Sequence, residues 1–379
     1  VGFESPLAIA RAGWQNRRVT TAEATARMEW GDCWLAPGPL SAELAAEVRR
    51  STGGVLPGWA PRLAAVPWVV RAKARFVGAR FAHMPPALDR WIALVVSQDN
   101  SCRYCYGVTR ALLKVLGYGD AQIDRIERDV HLADMTRAEQ AALEFARKVS
   151  HANPRPTPGE RERLVQAGWA PAAIGEIAYA AASAGFPNRI ATAFAIPPEP
   201  LERWAEHPLA RLLRPLLALK LRARPAAPLP APPPEGPCAD IVAALGDSPG
   251  AHALRAAIDD ALASPVLPRR TKLLVLAVVG RALGCLRSEA EARAELGALG
   301  IEPAALERVL ANLGGPELDR REAVLVPFAR ETVRYQASVL QGRARALADA
   351  LPVAEVIEAV GIASLANVVA RLSILLDRC

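Results

Sequence analysis

One stretch of this chain returns 183 residues later. Leu116-Gly117-Tyr118-Gly119-Asp120-Ala121-Gln122-Ile123-Asp124-Arg125-Ile126 aligns with Leu299-Gly300-Ile301-Glu302-Pro303-Ala304-Ala305-Leu306-Glu307-Arg308-Val309 (299 − 116 = 183). Phe145-Ala146-Arg147 aligns with Phe328-Ala329-Arg330, and Pro85 with Pro268, at the same offset. With one residue lost, Glu176 and Arg189 align with Glu358 and Arg371 at 182. Agreement through several segments and a glycine stop marks an internal duplication. Whatever fold the first copy adopts, the second is expected to share.

That fold is expected to be all-α. Apolar residues make up 51% of the chain and aromatics only 5%, while alanine, leucine and arginine dominate and β-branched runs are short. A helix is expected after Thr20, with Glu23 three residues on completing a capping box, and another over Ser41 to Arg50, stopped at Gly53-Gly54. Glu29-Trp30-Gly31-Asp32-Cys33-Trp34 between them reads as arm packed on the body. From Pro67 the pattern is helical almost throughout, with stops at Pro85-Pro86, Gly117 to Gly119, Pro154 to Pro158 and Pro197 to Pro200. Residues 225–237 carry too many prolines for a helix and read as a polyproline spacer. The expected organisation is an N-terminal helical arm (1–60), a first helical domain (61–207), a basic segment with the Pro-rich linker (208–237), and a second, degenerate domain (238–379).

The net charge of +7 is modest, and much of it lies in Arg211, Arg214, Lys220, Arg222 and Arg224. Charge so localised argues against a nucleic-acid surface on the folded body. The segment Leu209 to Leu221 could touch an anionic membrane surface weakly; a solvated helix leading into the linker is the preferred reading. The longest apolar run, Val353 to Leu376, carries Glu355, Glu358 and Arg371 and is expected to be a core helix.

Chemistry concentrates at Ser97-Gln98-Asp99-Asn100-Ser101-Cys102-Arg103-Tyr104-Cys105-Tyr106-Gly107. If Asp99 or Ser101 caps the following helix, both thiols fall in its first turn, where free N–H groups and the helix dipole favour a thiolate. Arg103 and Arg110 would add positive charge. Two thiols within reach of each other are the minimum equipment for disulfide exchange or peroxide reduction. The second copy keeps one thiol, Cys285, and has Ser288 in place of the other. Cys285 therefore reads as a small buried hydrophobe. The remaining cysteines, Cys33, Cys238 and Cys379, are scattered, which suggests neither a disulfide framework nor a zinc site, and a reducing cytoplasm is expected. Metal capture by Cys102 and Cys105 would need a distant histidine such as His83 or His131. For Glu176 and Arg189, with their copies, a structural ion pair or a helix-packing contact is expected.

The apolar helix ending Val95-Val96-Ser97, the run Asn100 to Cys105, the helix closed by Leu116-Gly117, Leu143 to Lys148, and the late helix Ile174 to Phe194 with Asn188-Arg189 resemble the alkylhydroperoxidase D-like, or carboxymuconolactone decarboxylase, family. The resemblance covers residues 65–200, and 250–376 as a degraded copy. It implies two tandem all-helical domains, each built around a hairpin, so that the chain is a monomer imitating a dimer or a homo-oligomer. It further implies that Cys105 is the nucleophile and Cys102 the resolving thiol, with no cofactor and no metal. In redox-active members a histidine and a glutamate form a proton relay; here those positions are Thr109 and Arg90, and Tyr104 stands where a histidine often precedes the second cysteine. Asp89 lies one residue off, and Gln98, Asp99 and His83 are further polar candidates. The expected function is a thiol-dependent oxidoreductase acting on a hydroperoxide or disulfide, with electrons from an unknown thiol donor. The alternative is a catalytically degenerate helical binding or scaffold protein.

Overall fold

The computed structural model describes residues 33–85, 87–207, 231–233 and 235–379, and among these every regular element is a helix. The helix expected after Thr20, the basic segment and the first part of the spacer lie outside the described residues. An N-terminal arm supplies α1 (Ala42–Ser51) and α2 (Trp59–Arg62). The first copy contributes α3 (Pro67–Val77), α4 (Leu88–Asp99), α5 (Arg103–Val115), α6 (Asp120–Arg128), α7 (Arg137–Arg147), α8 (Pro158–Gln166), α9 (Pro171–Ala193) and α10 (Pro200–Glu206). The second contributes α11 (Ala239–Ala243), α12 (Pro249–Ala263), α13 (Arg269–Leu283), α14 (Leu286–Ala298), α15 (Pro303–Asn312), α16 (Arg320–Glu331), α17 (Ala337–Ala350) and α18 (Val353–Leu375).

The duplication is written into the element boundaries. Helix α14 begins and ends 183 residues after α5, and α18 begins and ends 182 after α9. Local chemistry sets these ends. Prolines open α3, α8, α9, α10, α12 and α15, where the missing N–H has no partner to lose. Reciprocal capping boxes start α7 (Thr136 with Glu139) and its counterpart α16 (Asp319 with Glu322). Gly117 and Gly300 hold the same left-handed stop, with φ of 104° and 85°. The expected helix over Ser41 to Arg50 is α1, capped by the Ser41 side chain.

The two copies are not separate bodies. One apolar cluster runs from Leu35 to Leu375 through both. Helices α9 and α18 are buried on nearly every side, so neither can be covered by its own copy alone. They pack against each other at the centre, and α3 packs on α12. By length and composition α18 could cross a bilayer, but here it is the central helix of the core, with Glu358 and Arg371 buried and hydrogen-bonded.

The aligned Glu/Arg pairs do not form ion pairs with each other; they hold the packing. Glu176 accepts the N–H groups of Ala82, His83 and Met84 at 2.7, 2.7 and 3.0 Å. Glu358 repeats this role at Leu267, the counterpart of Met84, and also accepts Trp68 Nε1 at 2.7 Å from the first copy. Arg189 reaches across to the carbonyl of Thr332 (3.1 Å), and Arg371 reaches back to that of Val149, which aligns with Thr332 at the 183-residue offset. This reciprocal exchange is what a fused dimer with an approximate twofold axis would show. The arm is packed as expected, with Trp34 edge-on against Phe194 at 5.5 Å between ring centroids.

Candidate functional site at the helix carrying Cys102 and Cys105

Three residues, Asn100 to Cys102, join α4 to α5. Asn100 closes α4, Ser101 takes φ 51°, and Cys102 is extended (φ −86°, ψ 92°) as the N-cap of α5. The Cys102 N–H donates back to Ser97 O at 2.9 Å, and its carbonyl accepts Tyr106 N–H at 2.9 Å. Neither Asp99 nor Ser101 is the cap. Asp99 is the last residue of α4 and pairs with Arg147 at 2.7 Å, while Ser101 makes the left-handed reversal. The second copy builds the same turn: Gly284 at φ 67°, Cys285 at φ −88° and ψ 92°, with Cys285 N–H donating to Gly280 O at 2.9 Å. There a glycine occupies the left-handed position at no steric cost; the serine of the first copy strains the backbone at the thiol site.

Cys102 is fully buried and Cys105, one turn on, is 9% exposed. Neither is in a disulfide. The two thiols stand one helical turn apart, and a charge on either opposes ionisation of the other. Burial opposes a thiolate on either. At Cys102 that opposition is overcome by the Cys105 thiol and N–H, the Thr192 hydroxyl and Lys73, which together bring it below the ordinary thiol range. Cys105 is pushed up by burial and by the charge on its neighbour, against weaker opposing pulls from Lys73 and Asn188. The first thiolate therefore sits on the capping sulfur, and Cys105 keeps its proton. This order of ionisation is the reverse of that expected for an ionised Cys105.

The cation at the site is Lys73 of α3, which is 1% exposed. Its Nζ lies 5.0 Å from the Trp59 ring centroid and 5.3 Å from that of Tyr104. Burial lowers its pKa, while Cys105, Cys102 and Glu199 hold it up. The expected cations are elsewhere. Arg110 is held by Asp120, Asp124 and Glu127, at 3.2, 2.5 and 2.5 Å, and Arg103 faces Glu202. Sequence reasoning missed Lys73, though a signal exists: it shares a helical face with Val69 and Phe76, both buried, whereas Arg71 and Arg75 face Glu47.

The remaining wall comes from α9 and from the second copy. Asn188 accepts Asn100 Nδ2 at 3.0 Å and donates to Ser97 Oγ at 3.2 Å. Tyr335, between α16 and α17, donates to the Asn188 carbonyl at 2.8 Å, and its hydroxyl is hydrogen-bonded to Thr192 Oγ1 at 2.5 Å. Its hydroxyl is held protonated by burial and by Cys102. No spacing in the sequence indicated that a residue 230 positions beyond Cys105 would complete its site. On the outer side, Tyr104 donates to Glu199 at 2.8 Å, and the same carboxylate oxygen accepts Gly58 N–H at 2.9 Å.

The other polar candidates are spoken for. Gln98 donates to Glu127 O at 2.9 Å, Asp89 pairs with Arg90 at 3.4 Å, and His83 faces Asp247 at 3.4 Å. His131 pairs with Glu144 at 2.9 Å, so neither histidine joins the cysteines as a metal ligand. Among the described residues no three His, Cys, Asp or Glu side chains cluster as ligands would. The reading of Cys285 as an unpaired hydrophobe is corrected: it is disulfide-bonded to Cys379. Sequence spacing could not show this, because the partner lies 94 residues away beyond α18. Comparison of the chain with protein-family models, curated proteins and solved structures finds no match.

Proposed function

We propose that the chain is a thiol-dependent oxidoreductase of the alkylhydroperoxidase type, with Cys105 as nucleophile and Cys102 as resolving thiol. The observation that carries this reading is the pair of free thiols in the first turn of α5, with a buried lysine beside it. The Glu/His relay of redox-active family members is absent, and the Cys102 thiolate takes over as base. It accepts the proton of Cys105, the less buried of the two residues. Cys105 then attacks the outer peroxide oxygen, the O–O bond breaks, and the alcohol leaves with the proton from Cys102. Cys102, again a thiolate, displaces hydroxide from the sulfenic Cys105, the hydroxide takes a proton from solvent to become water, and a Cys102–Cys105 disulfide results. An external dithiol returns the two electrons. Without a dedicated relay the peroxide step is expected to be slow, since general-base help is typically worth about 10²–10⁴-fold.

The test is to mix reduced protein with an organic hydroperoxide and count thiols by peptide mass. Loss of both Cys102 and Cys105 thiols to one disulfide supports the reading; two intact thiols after prolonged exposure rule it out.

One observation favours a second reading, a helical binding or scaffold protein that has lost the chemistry: Cys102 is sealed and Cys105 nearly so. That reading predicts that Cys102→Ser with Cys105→Ser leaves the cellular role intact.

A further inference from the structure

We propose that Cys285 and Cys379 form a second redox-active pair, in which a sulfur delivered from beyond α18 replaces the one lost from the duplicated Cys-x-x-Cys, and that an external dithiol reduces it. Cys285 occupies the N-cap of α14 with the backbone conformation of Cys102 in α5. At the position matching Cys105 stands Ser288, whose Oγ lies 3.2 Å from Cys285 Sγ. The hydroxyl thus keeps the hydrogen bond that a second thiol would make, but it cannot be oxidised.

The missing sulfur arrives by a turn that both copies share. After α9 the chain reverses at Ala195 (φ 48°), and Ile196 N–H donates to Ala191 O at 2.9 Å. After α18 it reverses at Asp377 (φ 56°), 182 positions on, and Arg378 N–H donates to Ser373 O at 2.7 Å. The turn sets residue 379 against the N-terminus of α14, where it bonds to Cys285. The matching residue of the first copy is Pro197, which has no sulfur to offer, and there α5 supplies both cysteines. Each copy therefore has a capping cysteine and a second sulfur, drawn from different elements.

The two sulfurs differ in accessibility, and this sets the direction of exchange. Cys379 is exposed and Cys285 is fully buried. An incoming thiolate meets Cys379. A bond forms between the donor sulfur and Cys379 Sγ, the Cys379–Cys285 bond breaks, and the electron pair leaves on Cys285. That thiolate is stabilised by the Ser288 hydroxyl and the first-turn N–H groups of α14. The donor's second thiol then displaces Cys379 and the donor departs as its disulfide. The two donor protons end on Cys285 and Cys379.

The experiment uses the full chain carrying Cys102→Ser and Cys105→Ser, so that its outcome is independent of the function proposed for the first site. Native oxidised protein is exposed to dithiothreitol under non-denaturing conditions, then alkylated, and the Cys285 and Cys379 peptides are weighed. The expected result is reduction of the native pair, with the Cys285 and Cys379 peptides both recovered alkylated. Replacing Ser288 with alanine should slow native reduction severalfold by removing the leaving-group hydrogen bond. Reduction only after unfolding would make the bond a structural staple and overturn the proposal. So would free alkylation of Cys379 in air-oxidised protein. Circular dichroism of each variant identifies any that fail to fold, and Cys379→Ser, altered at an exposed residue, provides a folded reference in which Cys285 should resist alkylation.

Discussion

Ser101 and Lys73 are where single residues bend the structure toward chemistry. Ser101 sits in a left-handed conformation that the second copy gives to Gly284. A side chain there costs about 1–2 kcal/mol, partly offset by the extra freedom of glycine in the unfolded chain. Ser101→Gly is expected to raise stability by about 0.5–1 kcal/mol in urea unfolding; a loss of stability would show that the serine hydroxyl holds the turn. Lys73 is the buried cation that favours a thiolate at Cys102. Lys73→Met is expected to raise the first thiol pKa and so slow alkylation near neutral pH. An unchanged alkylation rate would mean that the helix N-terminus alone sets the thiolate. The pH dependence has a definite sign. The folded pKa of Cys102 lies below its unfolded value, so its contribution to stability is present above the unfolded pKa and is lost as pH falls through the folded one. Cys105 acts oppositely: its folded pKa is raised, so stability falls as pH climbs past the unfolded thiol value.

Helices α9 and α18 explain why the copies cannot part. Glu358 on α18 joins Trp68 of α3, Leu267 and Lys272 in one buried cluster, with Lys272 Nζ 3.5 Å away. Glu358→Ala leaves that lysine without its buried counter-charge and is expected to cost about 3–5 kcal/mol in chemical denaturation; a loss below 1 kcal/mol would show that Lys272 is satisfied by the carbonyls of Ala261 and Ser264 alone. The element pattern was legible because it is local. Proline starts, the Gly117 and Gly300 stops and the 183-residue offset each depend on a few neighbouring residues. What remained hidden was tertiary. Nothing near Tyr335 marks it as part of the Cys102 site, and Cys379 acquires a partner only because Asp377 turns the chain back. The cap was misassigned for a related reason: Asp99 looks like an N-cap beside α5, but α4 runs through it and Arg147 claims its carboxylate.

At the scale of the whole chain, the two copies share one apolar core. Arg189 and Arg371 exchange contacts across the centre, and Tyr335 lends its hydroxyl to the other copy's thiol site. Expressed as separate chains, residues 33–207 and 231–379 are expected to co-purify as a complex by size-exclusion chromatography. Two independently folded monomers would mean that the shared core is dispensable. Tyr335→Phe is expected to leave the fold intact and to shift reactivity at Cys102, because it removes the hydroxyl hydrogen-bonded to Thr192 Oγ1. All of this bears on one claim, that the Cys102–Cys105 pair ionises readily without a histidine or glutamate base. The direct measurement is the thiolate absorbance of the native Cys33→Ser, Cys238→Ser protein followed against pH. The account predicts two separate steps, one below the ordinary thiol value of about 8.5 and one well above it, with the lower step absent in Cys102→Ser. A single late step, with no thiolate formed below that value, would contradict it.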